Sequence, residues 1–265
     1  MLPKKILPTF LVCLILAVAG CTAGSPENAA APGQNDHPIT IKQITSGNKG
    51  FLLATIDPSL YQLKIIVNTP PPDSKNIQIL HQENHSLLTF NGSFFDQNFK
   101  PLGMLVSEGK LIFPLTKSDL MNGVFTINHK GQPQLFDYSN FQDKQEQLLP
   151  AIDFAIQSGP ILIDDKGAIV VDRKNLKTAG RTAIGLDKSN NIVVIMLRQS
   201  LLDETNALSL YDFADTLLTA REFSDLGIHS LINLDGGTSS GLAVNDQYFP
   251  ELEKVQNVII AQKHS

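Results

Sequence analysis

Apolar residues in this chain fall mostly in short runs closed by Gly, Asn, Asp or Pro, a pattern that predicts strands joined by tight turns. Ile39–Thr45, Phe51–Ile56 and Tyr61–Val67 form a first group, separated by Ser46-Gly47-Asn48 and Asp57-Pro58 and closed by Pro70-Pro71-Pro72. Further strands are predicted at Leu87–Phe90, Met104–Val106, Lys110–Phe113, Val124–Asn128, Gln134–Phe136 and Ile152–Ile156. Hairpins follow at Ile161–Ile163 with Ala168–Val171, and at Arg181–Gly185 with Ile192–Leu197. Leu242–Val244 and Val255–Ile260 close the series. Helical spacing occurs twice. Ser74–Asn84 places Ile77, Leu80 and His81 on one face, and Leu210–Leu226 repeats Leu210, Phe213, Leu217 and Ala220 between a Ser209/Asp212 cap and Gly227. The expected fold is α+β: a single domain with a large, mostly antiparallel mixed β-sheet and a few packed helices.

The N-terminus reads differently. Lys4 and Lys5 precede an apolar run, Phe10–Ala19, too short for a membrane span. It ends in Val18-Ala19-Gly20-Cys21, which resembles a bacterial lipobox. The implied organisation is a leader over 1–20, a lipidated Cys21 opening a Pro/Ala/Gly-rich tether over 21–38, and a folded domain over 39–265. The protein is then exported and held at the membrane surface by its lipid, on the outer membrane if the organism has one. The only other cysteine, Cys13, leaves with the leader, so the mature domain has neither a disulfide nor a thiol nucleophile.

At 265 residues, 42% hydrophobic and 18% charged, the chain can bury a substantial core. Loss of the two leader lysines takes the net charge from −5 to −7, which argues against a nucleic-acid partner. His81 and His85 are four apart, but the intervening Gln-Glu-Asn is not a metalloprotease motif and no third ligand is near in sequence. They read as a packed or solvated pair.

Chemistry concentrates where strands end in glycine and polar residues. Ser230–Leu234 delivers Asp235 into Gly236-Gly237-Thr238-Ser239-Ser240-Gly241. Such a turn can be a plain Asp-Gly hairpin, or a nest of N–H groups that holds an anion beside a carboxylate. Asn91-Gly92-Ser93-Phe94-Phe95-Asp96, Gln157-Ser158-Gly159-Pro160 and Arg181-Thr182-Ala183-Ile184-Gly185 are similar points. An arginine opening an apolar strand is either a rim ion pair or an anion clamp.

In their order, these four segments resemble the phosphodiester glycosidases, the family that includes the lysosomal uncovering enzyme and bacterial periplasmic, exopolysaccharide-biosynthesis-like members. The resemblance spans about Phe51 to Ile260. It departs from the family pattern at Ser93 and Thr238, where many members carry glycine, and it lacks the cysteines of secreted animal members. The resemblance implies hydrolysis of a sugar-1-phosphodiester, such as a GlcNAc-1-phosphate linkage in an envelope glycan, at the anomeric bond. Arg181 would hold the phosphate with the Gly236 and Gly237 N–H groups. Asp235 would act as base or nucleophile, with Asp96 as second carboxylate and Asp153 and Glu108 behind it. Asn91, Gly92, Ser158, Gly159, Thr182 and Ser239 would orient the phosphate or sugar, and Phe94 and Phe95 would offer an apolar face or pack in the core. No cofactor and no metal site is expected, with Mg²⁺ or Ca²⁺ at Asp235 a minor alternative. The same residues also suit a lipoprotein that binds a glycan or phosphopolymer without cleaving it.

Overall fold

The computed structural model describes residues 39–198 and 205–264. The leader, Cys21 and the tether lie outside the described residues. In chain order the first strands are β1 (Ile41–Ser46), β2 (Lys49–Ile56) and β3 (Tyr61–Val67), followed by helix α1 (Ile77–Glu83) and β4 (Leu88–Asn91). Next come β5 (Leu105–Ser107), β6 (Lys110–Phe113), β7 (Gly123–Asn128), β8 (Pro133–Asp137) and helix α2 (Tyr138–Leu148). β9 (Ile152–Ser158), β10 (Ile161–Ile163), β11 (Arg181–Leu186) and β12 (Ile192–Leu197) lead to helix α3 (Leu210–Thr219). The chain ends in β13 (Ser230–Asn233), β14 (Leu242–Val244), β15 (Gln247–Phe249) and β16 (Asn257–Lys263).

The α+β class holds, and the strands divide into three antiparallel sheets. The first runs β1-β2-β12-β11-β13-β10, the second β15-β14-β4-β16-β3 and the third β6-β5-β9-β7-β8. The two-residue period of a strand explains how they assemble. In β2, Leu52, Ala54 and Ile56 face a core shared by all three sheets, while Phe51 and Leu53 face outward against α3. β12 repeats this, with Ile192, Val194 and Met196 inward and Val193, Ile195 and Leu197 towards the helix. In the third sheet Leu105, Phe125, Phe154 and Ile156 point inward, while Met104, Val106, Val124 and Ala155 meet Phe141 of α2. α1 covers the second sheet through Ile77 and Leu80 against Ala243, Val258 and Ile260. Strands buried on both faces lose their polar alternation, which is why they read as unbroken apolar runs.

The helices depart most from expectation. α1 begins after Asn76, whose side chain accepts from Ile79 N, and stops at Glu83. His85 lies beyond it at φ 47°, so the two histidines do not share a helix face. His81 is buried, its Nδ1 3.0 Å from the Thr89 hydroxyl, and burial lowers its pKa. The helix predicted over 210–226 ends at Thr219, because Ala220 turns extended (ψ 134°) and only one 3₁₀ turn, Arg221–Phe223, follows. α2 is absent from the sequence reading: Phe141 is its one buried residue, so it carries almost no apolar stripe.

α3 rests on a local cap that the sequence does announce. The Ser209 hydroxyl accepts from Asp212 N at 3.0 Å and donates to Asp212 Oδ2 at 2.7 Å. Ser209→Ala removes both, and urea unfolding is expected to show a loss of about 1 kcal/mol.

Candidate active site

The four glycine-bearing segments meet where the three sheets converge. β4 of the second sheet ends at Asn91 and β9 of the third at Ser158, while β11 starts at Arg181 and β13 ends at Asn233 in the first. Backbone bonds join them. Asp235 N donates to Gly92 O at 3.1 Å, Gly159 N to Asn233 O at 3.0 Å and Leu234 N to Thr182 O at 2.8 Å. The approach is too close for side chains: a Cβ on Gly236 would lie 2.8 Å from Gly180 O.

At this junction lies a cavity of about 660 Å³. Its lining includes Asp235, Gly236, Gly237, Thr238, Arg181, Lys177, Asn233 and Gly159. Phe94, Phe95, Leu102, Leu120, Met121 and Leu210 also line it.

Arg181 is 9% exposed, and its donors are only partly used. Nε donates to Leu208 O at 2.9 Å and one Nη to Lys177 O at 2.6 Å. Two of five N–H groups are thereby fixed, which orients the fork and leaves the rest. No carboxylate pairs with it among the described residues. Burial lowers its pKa, though a guanidinium stays charged. An oriented, unpaired, buried guanidinium suits an anionic ligand.

Asp235 sits in a partly buried position opposite in character. Its Oδ1 accepts from Gly236 N at 2.9 Å and its carboxylate from the Ser239 hydroxyl. Burial outweighs these donors and, with Glu253 nearby, lifts its pKa to about 6. Glu253 is the neighbouring carboxylate that the sequence does not announce: its Oε2 accepts from the Thr238 hydroxyl at 2.9 Å and its N–H bonds Thr238 O. It comes from the loop after β15, with no motif to mark it.

Several expected ligands are supports instead. The Asn91 side chain is fully buried; Nδ2 donates to Asp235 O at 2.7 Å, while Oδ1 accepts from the Thr182 hydroxyl at 2.9 Å and Gly241 N at 3.3 Å. Asn91 and Thr182 therefore fix the Asp235 backbone and do not line the cavity, and Gly92 contributes through its carbonyl. Ser158 is fully buried with its hydroxyl unpaired among the described residues. Its neighbour Gln157 does the visible work, bonding Met104 N, Thr116 N, Thr116 O and Met121 O from one buried amide. Ser93 is buried and stays out of the cavity lining, whereas Thr238 lines it.

The expected nest and second carboxylate need correction. Gly236 N is spent on the Asp235 carboxylate and Gly237 N on Gly180 O at 2.8 Å, so neither N–H is free for phosphate. Asp96 is half-buried; its Oδ1 takes Asn98 N and Lys100 N and closes the loop that carries Phe94, Phe95 and Leu102. Lys100 and Asn98 donors hold its pKa low. Asp153 pairs with His129 at 2.6 Å and Glu108 with Lys64 at 2.7 Å, around a different cavity. Asp235 is the one carboxylate among the described residues lining the 660 Å³ cavity.

The phosphodiester glycosidase domain matches residues 84–262, which include all four segments. The chain belongs to the phosphodiester glycosidase family. An uncharacterised Escherichia coli K-12 protein, YigE, is 25% identical over 187 residues, 64% of this chain. The chain spans 65% of that relative's length. The fold resembles the catalytic domain of zebrafish N-acetylglucosamine-1-phosphodiester α-N-acetylglucosaminidase, solved auto-inhibited by its propeptide. That match has a TM-score of 0.62 and 18% identity over 87% of this chain and 85% of the other. A hypothetical protein from Synechocystis matches with TM-score 0.63 and 16% identity, over 83% of this chain and 61% of its own.

A raised carboxylate pKa is a stability statement with a definite sign. Between about pH 4 and 6 the native state binds the Asp235 proton more tightly than the unfolded chain, so stability falls as pH rises through that window and stays lower above it. Asp235→Asn removes this loss. Its thermal unfolding curves are expected to gain on the wild type between pH 4 and 8, by roughly 1–3 kcal/mol.

Proposed function

We propose that this family member hydrolyses sugar-1-phosphodiesters at the anomeric carbon–oxygen bond. The reading is carried by one observation: Arg181, oriented and unpaired, lines the same cavity as Asp235, whose pKa is near 6. Arg181 binds the phosphate oxygens with its remaining N–H groups, and Lys177 adds positive charge at the same wall. Asp235, ionised at neutral pH, either takes the proton of the attacking water or attacks the anomeric carbon itself. The C1–O bond breaks, its electron pair leaves on the phosphate, and the products are free sugar and a phosphomonoester. The leaving group is already acidic, and Arg181 stabilises its charge, so a strong general acid is not required.

Among the described residues no cluster of three or more His, Cys, Asp or Glu could hold a metal ion. Phe94 and Phe95 contribute apolar surface for the ligand. The enzyme works from the envelope, tethered through Cys21, on a glycan reached from the membrane surface. The lone carboxylate in the cavity lining also supports a second reading, a glycan- or phosphopolymer-binding lipoprotein without turnover.

The domain from residue 38 onward, incubated with a GlcNAc-1-phosphodiester with and without EDTA, separates the two. Release of free GlcNAc, followed by NMR, is expected in both conditions, with kcat/KM rising as pH passes about 6. Asp235→Asn is expected to lower it on the order of 10²–10⁴-fold and Arg181→Ala on the order of 10²–10³-fold. Arg181→Lys does not rescue, because an ammonium cannot hold both carbonyls and a phosphate in one fork. Binding without turnover across a panel of sugar phosphodiesters would favour the second reading.

A further inference from the structure

The cavity has more apolar wall than a sugar phosphate needs. A hexose offers one face of C–H groups, roughly one aromatic ring's worth of contact, and its hydroxyls need polar partners. Here Phe94, Phe95, Leu102, Leu120, Met121 and Leu210 all line the space beside Arg181 and Asp235. At about 660 Å³ it lies in the middle of the ~300–1,000 Å³ range of sites that enclose drug-sized ligands.

The apolar wall continues into solvent. Leu120 is 74% exposed and Leu176, next to the cavity-lining Lys177, is 77% exposed. These are the two most exposed large hydrophobic residues among those described. Leu120 is also held in place. Ser118 Oγ accepts from Leu120 N at 3.3 Å and Met121 N at 3.2 Å, and the fully buried Gln157 amide binds Met121 O at 3.0 Å. Gly159 packs against the same turn so tightly that a Cβ there would overlap Leu120 O. A rigid backbone thus presents a leucine to water at the mouth of a cavity whose interior carries an oriented cation.

The geometry points to a substrate whose phosphate is esterified, on the side away from the sugar, to a hydrocarbon alcohol. This rests on the proposed hydrolysis and narrows it. Arg181 and Lys177 take the phosphate, the polar residues around Asp235 take the sugar, and the hydrocarbon leaves along the apolar wall past Leu102 and Leu120. Charge complementarity supports this order: the anion goes to the guanidinium, and the largely solvent-exposed Leu120 lines the same cavity as an exit for the hydrocarbon. The phosphomonoester released is then an alkyl or polyprenyl-like phosphate. A polar alcohol, such as a second sugar, would leave this wall without a partner.

The test compares the ethyl and hexyl esters of GlcNAc-1-phosphate, below any aggregation threshold, with the domain from residue 38 onward. Each methylene fully buried is worth about fourfold. The kcat/KM ratio of hexyl over ethyl is therefore expected to exceed tenfold. Leu120→Ser and Leu102→Ser should each cut that ratio severalfold, while Leu111→Ser, on β6 away from this cavity, should leave it unchanged. Because Leu120 is mostly exposed, its substitution does not threaten the core. Calorimetry with ethyl and hexyl phosphate reads the same wall without catalysis, and hexyl phosphate should bind at least tenfold tighter. Equal kcat/KM for the two esters, or a preference that survives Leu120→Ser and Leu102→Ser, would overturn the inference. Tighter binding of hexyl phosphate without hydrolysis of either ester would leave the wall assigned and instead remove the hydrolase reading.

Discussion

The structure depends on one buried amide. Asn91, at the end of β4, reaches across to the carbonyl of Asp235 while its oxygen receives Thr182 and Gly241. Its partners come from two different sheets, so the amide is the bolt of the seam between them. A fully buried amide with one end unsatisfied costs about 1–3 kcal/mol, so each partner holds the others in register. The Asn233 amide ties in the third sheet through Nδ2 alone, which donates to Gly159 O at 3.0 Å, while its buried Oδ1 has no partner among the described residues. Strand ends of the three sheets converge around a gap. These two asparagines set its shape.

That corner places two charges where water is scarce. Arg181 is oriented by carbonyls with no carboxylate partner, and Asp235 is pushed towards neutrality by burial. Neither arrangement favours folding, and the two groups do not pair with one another. A domain that tolerates this must be stabilised elsewhere. The core shared by three sheets, each covered by one helix, supplies that margin without any disulfide. In the proposed reaction a ligand brings an anion to Arg181 and a reacting centre to Asp235.

The site was largely visible in the chain because its glycines cannot be replaced. Gly159 and Gly236 stand where backbone meets backbone and Gly92 where the Asn257 side chain presses on it, and such contacts leave fixed words in a sequence. The roles inside those words were less visible. Asn91 and Thr182 look like ligands and are braces, since a polar side chain at a strand end reads the same whether it faces a cavity or a seam. Asp96 looks like a second acid and is a loop tie, because its partners Asn98 and Lys100 follow it locally. Glu253 reaches Thr238 only through tertiary structure. For the fold, doubly buried strands such as β11 and β12 announced themselves by apolar runs, whereas α2, with only Phe141 buried, had no stripe to show.

Attack at the anomeric carbon and attack at phosphorus differ in which bond water breaks. Hydrolysis of a GlcNAc-1-phosphodiester in ¹⁸O-labelled water, with both products weighed by mass spectrometry, answers this directly. The roles given to Arg181 and Asp235 predict the label on the anomeric oxygen of free GlcNAc and an unlabelled phosphomonoester. Label on phosphorus would mean attack at the phosphate itself, and would contradict the assignment of Asp235 to the anomeric carbon.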